Sequence, residues 1–240
     1  MKSTLRSLIA LATLAAMPAM AVTYTDSAGD IDPGIANAGG TLDILSMEVA
    51  NTLSDITFTL TVNGNISSVD WGKFMLGISS GNPGTTTGNG WSRPINMNTP
   101  NGGMDYWVGS WVDGGNGMEL WAYNGSVWNQ TASTASNNLP GSISFTPAAN
   151  STLTYTLSLA SLGLGVGDTI YFDAYSSGGG GSDSAVDALS NPNVSITAWG
   201  GPYTSDGANL SSYTVVPEPS SVALFGMGAL LLGRLIRRRK

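Results

Sequence analysis

Six aspartates fall in two loop-like segments that could bind a cation. In DSAGDID and FDAYSSGGGGSDSAVDALSNP they are Asp26, Asp30, Asp32, Asp173, Asp183 and Asp187. Calcium binds six to eight oxygen atoms from carboxylates, carbonyls and water, and glycine-rich loops supply carbonyls readily. Neither segment has the spacing of an EF-hand loop. The six aspartates are therefore candidates for a structural calcium site, and the alternative is that they are solvated turn residues.

A second group of residues could bind sugars. The stretch DYWVGSWVDGGNGMELWAYNG reads as two strands joined by a DGGNG turn. The period of two places its aromatic residues on a single face of such a hairpin, with the slot at Gly109 between two indoles. The candidate glycan-binding residues on that face are Trp107, Trp111, Trp121, Tyr123 and Glu119, with Asp105 beside them. The alternative is that these rings pack as core under the loop 80–103, with Trp91 as part of that cover.

Residues for common catalytic mechanisms are missing or unpaired. The chain has no histidine and no cysteine, which excludes the usual Ser-His-Asp and Cys-His arrangements and the usual zinc and haem ligands. A glycosidase needs two carboxylates about 5–10 Å apart, and nothing in the sequence pairs Glu48 or Glu119 with a second acid. We therefore predict that the protein is not an enzyme, with a hydrolase as the remaining alternative.

Short alternating runs between turn residues must position both groups. The run ITFTLTV puts Ile56, Phe58, Leu60 and Val62 on one face and threonines on the other, and LTYTLSL repeats the pattern. About nine such runs predict an all-β fold, an antiparallel two-sheet β-sandwich that is jelly-roll-like. The predicted strands are 42–49, 56–62, 73–79, 104–111, 117–123, 142–146, 152–159, 169–175 and 194–198. The long connections 80–103 and 176–192 are predicted to be functional or mobile loops.

The first 21 residues have the organisation of a secretory signal peptide. Lys2 and Arg6 precede an apolar run, and Ala19-Met20-Ala21 forms an A-x-A site at which signal peptidase would cut. The prediction is a signal peptide over residues 1–21 and a mature chain that begins at Val22.

The segment 22–216 is strongly acidic. Lys73 and Arg93 are its only cations against fifteen acids, which gives a net charge of −13. No basic patch exists, so nucleic-acid binding is excluded. The segment has the length of one domain with a substantial core, and residues 22–215 are the predicted ectodomain.

Residues 216–240 combine three features of a membrane-inserted tail. Two prolines give an extended backbone at Val216-Pro217-Glu218-Pro219, an apolar run follows, and the chain ends in basic residues. The apolar run is too short to span a bilayer without help from snorkelling Arg234, and positive residues at its end favour the cytoplasmic side. The order of these features resembles the PEP-CTERM family of exported bacterial proteins. The matching residues are Pro217, Glu218 and Pro219, then the apolar helix with Arg234, then Arg237, Arg238, Arg239 and Lys240.

The resemblance implies recognition by an exosortase, a membrane transpeptidase that removes the tail near Pro217-Glu218-Pro219. It also implies a bacterium that makes extracellular polysaccharide. The expected location is therefore beyond the inner membrane, with a transient transmembrane anchor and then release to the cell surface or the extracellular space. A permanent C-terminal anchor is the alternative.

The order of motifs in the middle of the chain is similar to the sandwich of family 9 carbohydrate-binding modules and DOMON domains. The residues concerned are DSAGDID, DITFTLTV and the tryptophan hairpin closed by Trp128. This resemblance implies a noncatalytic binding module. Two functions remain open: a structural protein of the surface or biofilm matrix, and a module that binds extracellular polysaccharide through surface tryptophans.

Overall fold

The computed structural model describes residues 21–36, 38–134, 141–207 and 209–217. Over these residues the chain is built of strands and three short 3₁₀ helices, and the predicted all-β antiparallel sandwich is confirmed. The strands are β1 Val22–Thr25, β2 Ile44–Asn51, β3 Asp55–Val62, β4 Lys73–Ser79, β5 Ile95–Met97, β6 Tyr106–Trp111, β7 Gly117–Tyr123, β8 Trp128–Ser133, β9 Gly141–Thr146, β10 Ser151–Ser158, β11 Thr169–Ser177, β12 Asp187–Ala188, β13 Tyr203–Ser205 and β14 Ser211–Thr214.

The first sheet has five antiparallel strands in the order β1-β2-β3-β10-β9. At its centre β3 pairs with β10, so that Phe58 lies opposite Tyr155 and Thr59 opposite Thr154. The apolar residues of both strands are fully buried, and the threonines between them are half-buried on the other face. The alternation read from the sequence therefore sets the register, because a slip by one residue would exchange the two faces.

The second sheet has the order β12-β11-β4-β6-β7-β8, and β14 also pairs with β11. Its neighbouring strands are antiparallel throughout. Two of its strands, β4 and β7, occupy the predicted ranges residue for residue. The sheet carries the tryptophan hairpin, β6 and β7, near one side of its strand order.

Both faces of the second sheet are covered. On the inner face, Leu76, Val108 and Phe172 pack against Phe58 and Leu60 of the first sheet. On the outer face lies a second apolar cluster. It joins Met75, Trp107 and Tyr175 of the sheet to the residues of two long connections: Ile95, Met97, Met104, Ala185, Val186, Ile196 and Tyr203. The predicted loops 80–103 and 176–192, with the chain that follows the second loop as far as β13, thus form a third layer over the sheet, held by parallel pairing of β5 with β13.

Some predicted elements were wrong. Residues 194–198 form no strand; the strand nearby is β13, Tyr203–Ser205. The short strands β1, β5, β8, β12, β13 and β14 were not predicted, since they are brief or polar and pair at sheet edges or over the outer layer. The other predicted strands begin and end within two residues of the observed ones.

The predicted signal peptide, residues 1–21, lies outside the described residues except for Ala21. The predicted tail, residues 216–240, lies outside them from residue 218 onward, and so does its predicted transmembrane helix. Within the described segments no helix has the length and apolar character required to cross a bilayer.

Candidate metal centre and aromatic cleft

The structure brings together one part of each acidic segment. Asp26 and Asp30 lie in the connection that follows β1, and Asp187 begins β12. One carboxylate oxygen from each lies within 4.8 Å of the others. Asp26 and Asp187 are about 160 residues apart in the chain. The pairing of β1 with β2 and of β12 with β11 positions the segments that carry them.

Three carboxylate oxygens of this acidic cluster have no hydrogen-bond donor among the residues that the structure describes. Asp187 accepts the backbone N–H of Ile44 at 2.6 Å and that of Ala188 at 2.8 Å. Asp26 uses Oδ1 to accept Ser27 N–H at 2.8 Å, whereas its Oδ2 and both carboxylate oxygens of Asp30 are buried without any hydrogen-bond partner. A buried, unpaired carboxylate oxygen is costly unless a proton or a cation satisfies it.

Burial raises the pKa of all three carboxyl groups. The pKa of Asp187 rises to about 9, chiefly through burial and then through repulsion from Asp26 and Asp30. The pKa of Asp26 rises to about 8 for the same leading reason, and that of Asp30 is raised by burial and by Asp43. Near neutral pH the cluster therefore holds either protons or a cation. Carboxylate oxygens without nitrogen or sulfur ligands suit calcium or magnesium.

A cleft of about 390 Å³ lies beside this cluster and has Asp26 in its lining. Tyr24, Asp26 and Ser190 line it, together with Asn191 and Asn209. The side-chain oxygens and backbone carbonyls at its rim, with water, are the kind of ligands that complete a calcium shell.

The other three predicted acids are placed elsewhere. Asp32 accepts Gly34 N–H at 2.7 Å, and Asp183 accepts Gly180 N–H at 2.7 Å, so each closes its own turn. Asp173 is fully buried in β11 and accepts hydrogen bonds from the hydroxyls of Ser190 and Ser205. Asp43 was not predicted as a site residue: it accepts Gly29 N–H and the amide of Asn63, and so holds the DSAGDID loop against β3.

The tryptophan hairpin forms with the predicted faces. In the pairing of β6 with β7, Trp107 lies opposite Trp121 and Gly109 opposite Glu119. Trp107, however, is fully buried and stacks on Tyr175 at 5.9 Å between ring centroids. The expectation that Trp107 contacts a glycan is corrected, because the outer layer covers it.

The slot at Gly109 is filled by Trp91 from the outer layer. A Cβ atom on Gly109 would lie 2.2 Å from the Trp91 ring. Glu119 accepts the indole N–H of Trp91 at 2.7 Å and that of Trp121 at 2.9 Å through the same oxygen. The carboxylate of Glu119 thus fixes two rings, while Tyr123 packs on Trp128 at 5.5 Å between centroids.

Beside Trp91 an open cleft of about 300 Å³ remains, which we call the aromatic cleft. It is lined by Lys73, Trp91, Arg93, Trp111 and Gly181. The Trp91 and Trp111 rings are half-buried, 6.4 Å apart and inclined at 37°. Lys73 and Arg93 had not been predicted for this site, since nothing in their local sequence links them to the hairpin. They are the only two basic residues in the sequence of segment 22–216, and a count of charges could have identified them for that reason.

The processing residues lie at the limits of the described chain. Ala21 and Pro217 are exposed. The others predicted for processing, Ala19, Glu218, Pro219, Arg234, Arg237, Arg238 and Arg239, lie outside the described residues.

Comparisons with known proteins give one informative match. No curated protein shows significant similarity to the chain. Among solved structures, the chain is similar to a family 9 carbohydrate-binding module from Caldicellulosiruptor kristjanssonii in complex with glucose, with 8% identity over 82% of this chain and 96% of that chain. The TM-score is 0.34, which supports no inference about ligand. Residues 215–240 match the PEP-CTERM protein-sorting motif, which marks an exported protein processed by an exosortase.

Proposed function

We propose that the chain acts outside the inner membrane as a noncatalytic protein of the cell surface or the extracellular, polysaccharide-associated matrix. The observation that carries the proposal is the sorting motif at residues 215–240. On this view signal peptidase and an exosortase remove the two ends, and the tail anchors the protein in the membrane only during export.

The limits of the fold support the same division into segments. β1 begins at Val22, the first residue after the proposed signal peptide 1–21. At the other end, Val215 is buried and Pro217 is exposed. These positions support the proposed ectodomain of residues 22–215, which the proposed sorting signal, residues 216–240, would follow directly.

Glu119 and Asp105, the two acids predicted on the ring-bearing face of the hairpin, have structural partners, which supports a noncatalytic role. Glu119 accepts two indole N–H groups. Asp105 accepts the backbone N–H and the hydroxyl of Ser80 and the N–H of Asn82, and so ties the outer layer to the start of β6. Carboxylates held in this way are poor candidates for the acid and base of a hydrolase.

We propose that the acidic cluster of Asp26, Asp30 and Asp187 binds one structural calcium ion. A cation would satisfy the unpaired oxygens of Asp26 and Asp30 and cancel the repulsion among the three carboxylates. It would join the N-terminal loop to β12, two segments far apart in the chain. Such a clamp suits an exported domain that has no disulfides.

A second candidate function is glycan binding at the aromatic cleft, and the half-exposed indoles of Trp91 and Trp111 favour it. A volume of about 300 Å³ accommodates a single sugar ring. The ring of Trp91 packs directly against Gly109, and the ring of Trp111 packs directly against Gly117. They are therefore held in place before a ligand arrives, which lowers the entropic cost of binding.

Replacing Pro217, Glu218 and Pro219 together by alanine tests the processing proposal. In a host with a working exosortase, the variant should stay in the inner-membrane fraction with its tail attached, while the parent protein leaves it. Equal release of both proteins would refute the proposal.

Two tryptophan substitutions test glycan binding. Trp111→Ala should abolish binding to a polysaccharide array. Trp128→Ala removes another half-exposed ring of the outer face and should leave binding unchanged. Unchanged binding by Trp111→Ala would exclude the cleft.

A further inference from the structure

The two cations of the segment 22–216 converge on one place. Lys73 is in β4 and Arg93 is in the outer layer, twenty residues apart, and both line the aromatic cleft. Fifteen acids are spread over the same segment. A domain with this charge repels a polyanion over most of its surface. Lys73 and Arg93 oppose that repulsion at the aromatic cleft, although Asp113, Asp183 and Glu119 lie beside them.

Arg93 is built into the floor of the cleft. It is 5% exposed, and its guanidinium donates to the Ser177 hydroxyl at 2.7 Å, to the Asp183 carbonyl at 2.9 Å and to the Gly178 carbonyl at 3.3 Å. These partners are neutral groups. Burial lowers the pKa of the Arg93 guanidinium, and the nearby Asp183 carboxylate opposes that shift. The guanidinium also lies 5.4 Å from the centre of the Trp91 ring. Its position is thus fixed by the protein while its charge is only partly offset.

Lys73 is the more accessible of the two cations. Its ammonium group donates to Asp113 at 2.9 Å and to the carbonyl of Trp71 at 3.0 Å. The Asp113 side chain is 43% exposed and the Lys73 side chain 15% exposed, so the ion pair is partly solvated and its strength is reduced by water. A ligand carboxylate can therefore share the ammonium group or replace Asp113 at small cost.

We propose that the aromatic cleft recognises an anionic sugar, specifically a hexuronate residue of an acidic polysaccharide. The inference rests on the proposed glycan-binding function and names its ligand class. One face of the sugar ring stacks on Trp111, and its carboxylate accepts a hydrogen bond from Lys73. Arg93 supplies a fixed positive potential below, and Asp113 competes with the ligand for Lys73.

Paired ligands that differ only in charge test the inference. Calorimetry with the exported protein would compare short oligomers of galacturonate, glucuronate and mannuronate with their methyl esters. At least one acid should bind about tenfold more tightly than its ester, since a charge-assisted contact is lost in the ester. The preference should shrink in 0.5 M salt, because Lys73 and Asp113 are exposed enough to be screened.

Two substitutions at the ion pair should act in opposite directions. Lys73→Gln should weaken binding of the acid about tenfold, to the level of the ester, and Asp113→Asn should strengthen it several-fold. Neither should change binding of the ester, and circular dichroism confirms that each variant is folded. Equal affinity for acid and ester, with both lost in Trp111→Ala, would overturn the hexuronate proposal and leave glycan binding intact. Failure of every oligomer to bind would overturn both proposals.

Discussion

Asn51 holds Val216 through both of its backbone groups. The Asn51 amide donates to the Val216 carbonyl at 2.9 Å, and its Oδ1 accepts the Val216 N–H at 3.0 Å. The same oxygen accepts the hydroxyl of Tyr213 at 2.7 Å. The sandwich is therefore closed one residue before Pro217, where the proposed processing region begins.

Asn51→Ala should loosen this end of the fold. It leaves the Tyr213 hydroxyl and the backbone of Val216 without partners, which costs about 2–3 kcal/mol of unfolding free energy. Urea unfolding measures the loss, and limited proteolysis should show new cleavage within residues 211–217. Asn98→Ala, at an exposed asparagine, is the control and should change neither the unfolding free energy nor the cleavage pattern. Stability equal to that of the parent would show that the clamp is dispensable.

Calcium should stabilise the protein through the acidic cluster. At a free concentration of about 100 times the dissociation constant, binding adds about 2.7 kcal/mol. For a domain of this size the melting temperature should rise by about 5–10 °C. Asp30→Asn should remove this response. Without metal the same variant should be more stable than the parent by about 1 kcal/mol, since neither oxygen of Asp30 has a partner to lose.

The matched control for this test is Asp32→Asn, which changes an acid of the same loop outside the cluster. It should keep the full calcium response. A parent protein that melts at the same temperature in calcium and in chelator would contradict the metal proposal.

Asp173 should make stability depend on pH. Burial raises its pKa to about 6, against hydrogen bonds from Ser190 and Ser205 that lower it. The folded state therefore holds the Asp173 proton more tightly than the unfolded state does. The contribution of Asp173 to the free energy of unfolding therefore falls as the pH rises from about 4 to about 6 and is constant at higher pH. The total change is up to about 3 kcal/mol.

Asp173→Asn should flatten this dependence. Urea unfolding of both proteins at pH 4.5 and pH 7, in chelator, gives the difference between them. The parent should lose more stability than the variant over that interval. Identical pH slopes would show that Asp173 is not protonated in this range.

Gly109→Ala should displace Trp91. Its Cβ would overlap the Trp91 ring, and overpacking of this kind costs about 1–3 kcal/mol. Tryptophan fluorescence should shift to the red as the ring is exposed, and any glycan binding at the cleft should weaken. Gly165→Ala is the control, because an added Cβ there makes only an ordinary contact with Asp168.

The period of two predicted the inner core and the central strands. Phe58, Leu60 and Val62 lie on the face expected, since strand alternation is a local property of the chain. Sequence reasoning reached the outer layer only in part, because it gave burial of the rings under the loop 80–103 as an alternative to a glycan platform. Nothing local shows that Ile95 and Tyr203 will pair in parallel, because those contacts join segments about 100 residues apart.

The sequence predicted the candidate sites only in part, because these sites also depend on contacts between distant segments. Asp26, Asp30 and Asp187 were singled out as acids in loops, but their grouping depends on the order of strands in both sheets. Trp91 was expected as a cover, whereas its seat on Gly109 and its hydrogen bond to Glu119 required the structure.

Mass spectrometry of the mature protein's two ends tests the export and processing proposal most directly. Purified after export from a host with a working exosortase, the chain should begin at Val22 and end near Pro217-Glu218-Pro219. A mature protein that still carries Lys240 would contradict the proposed processing, however well the sandwich is folded.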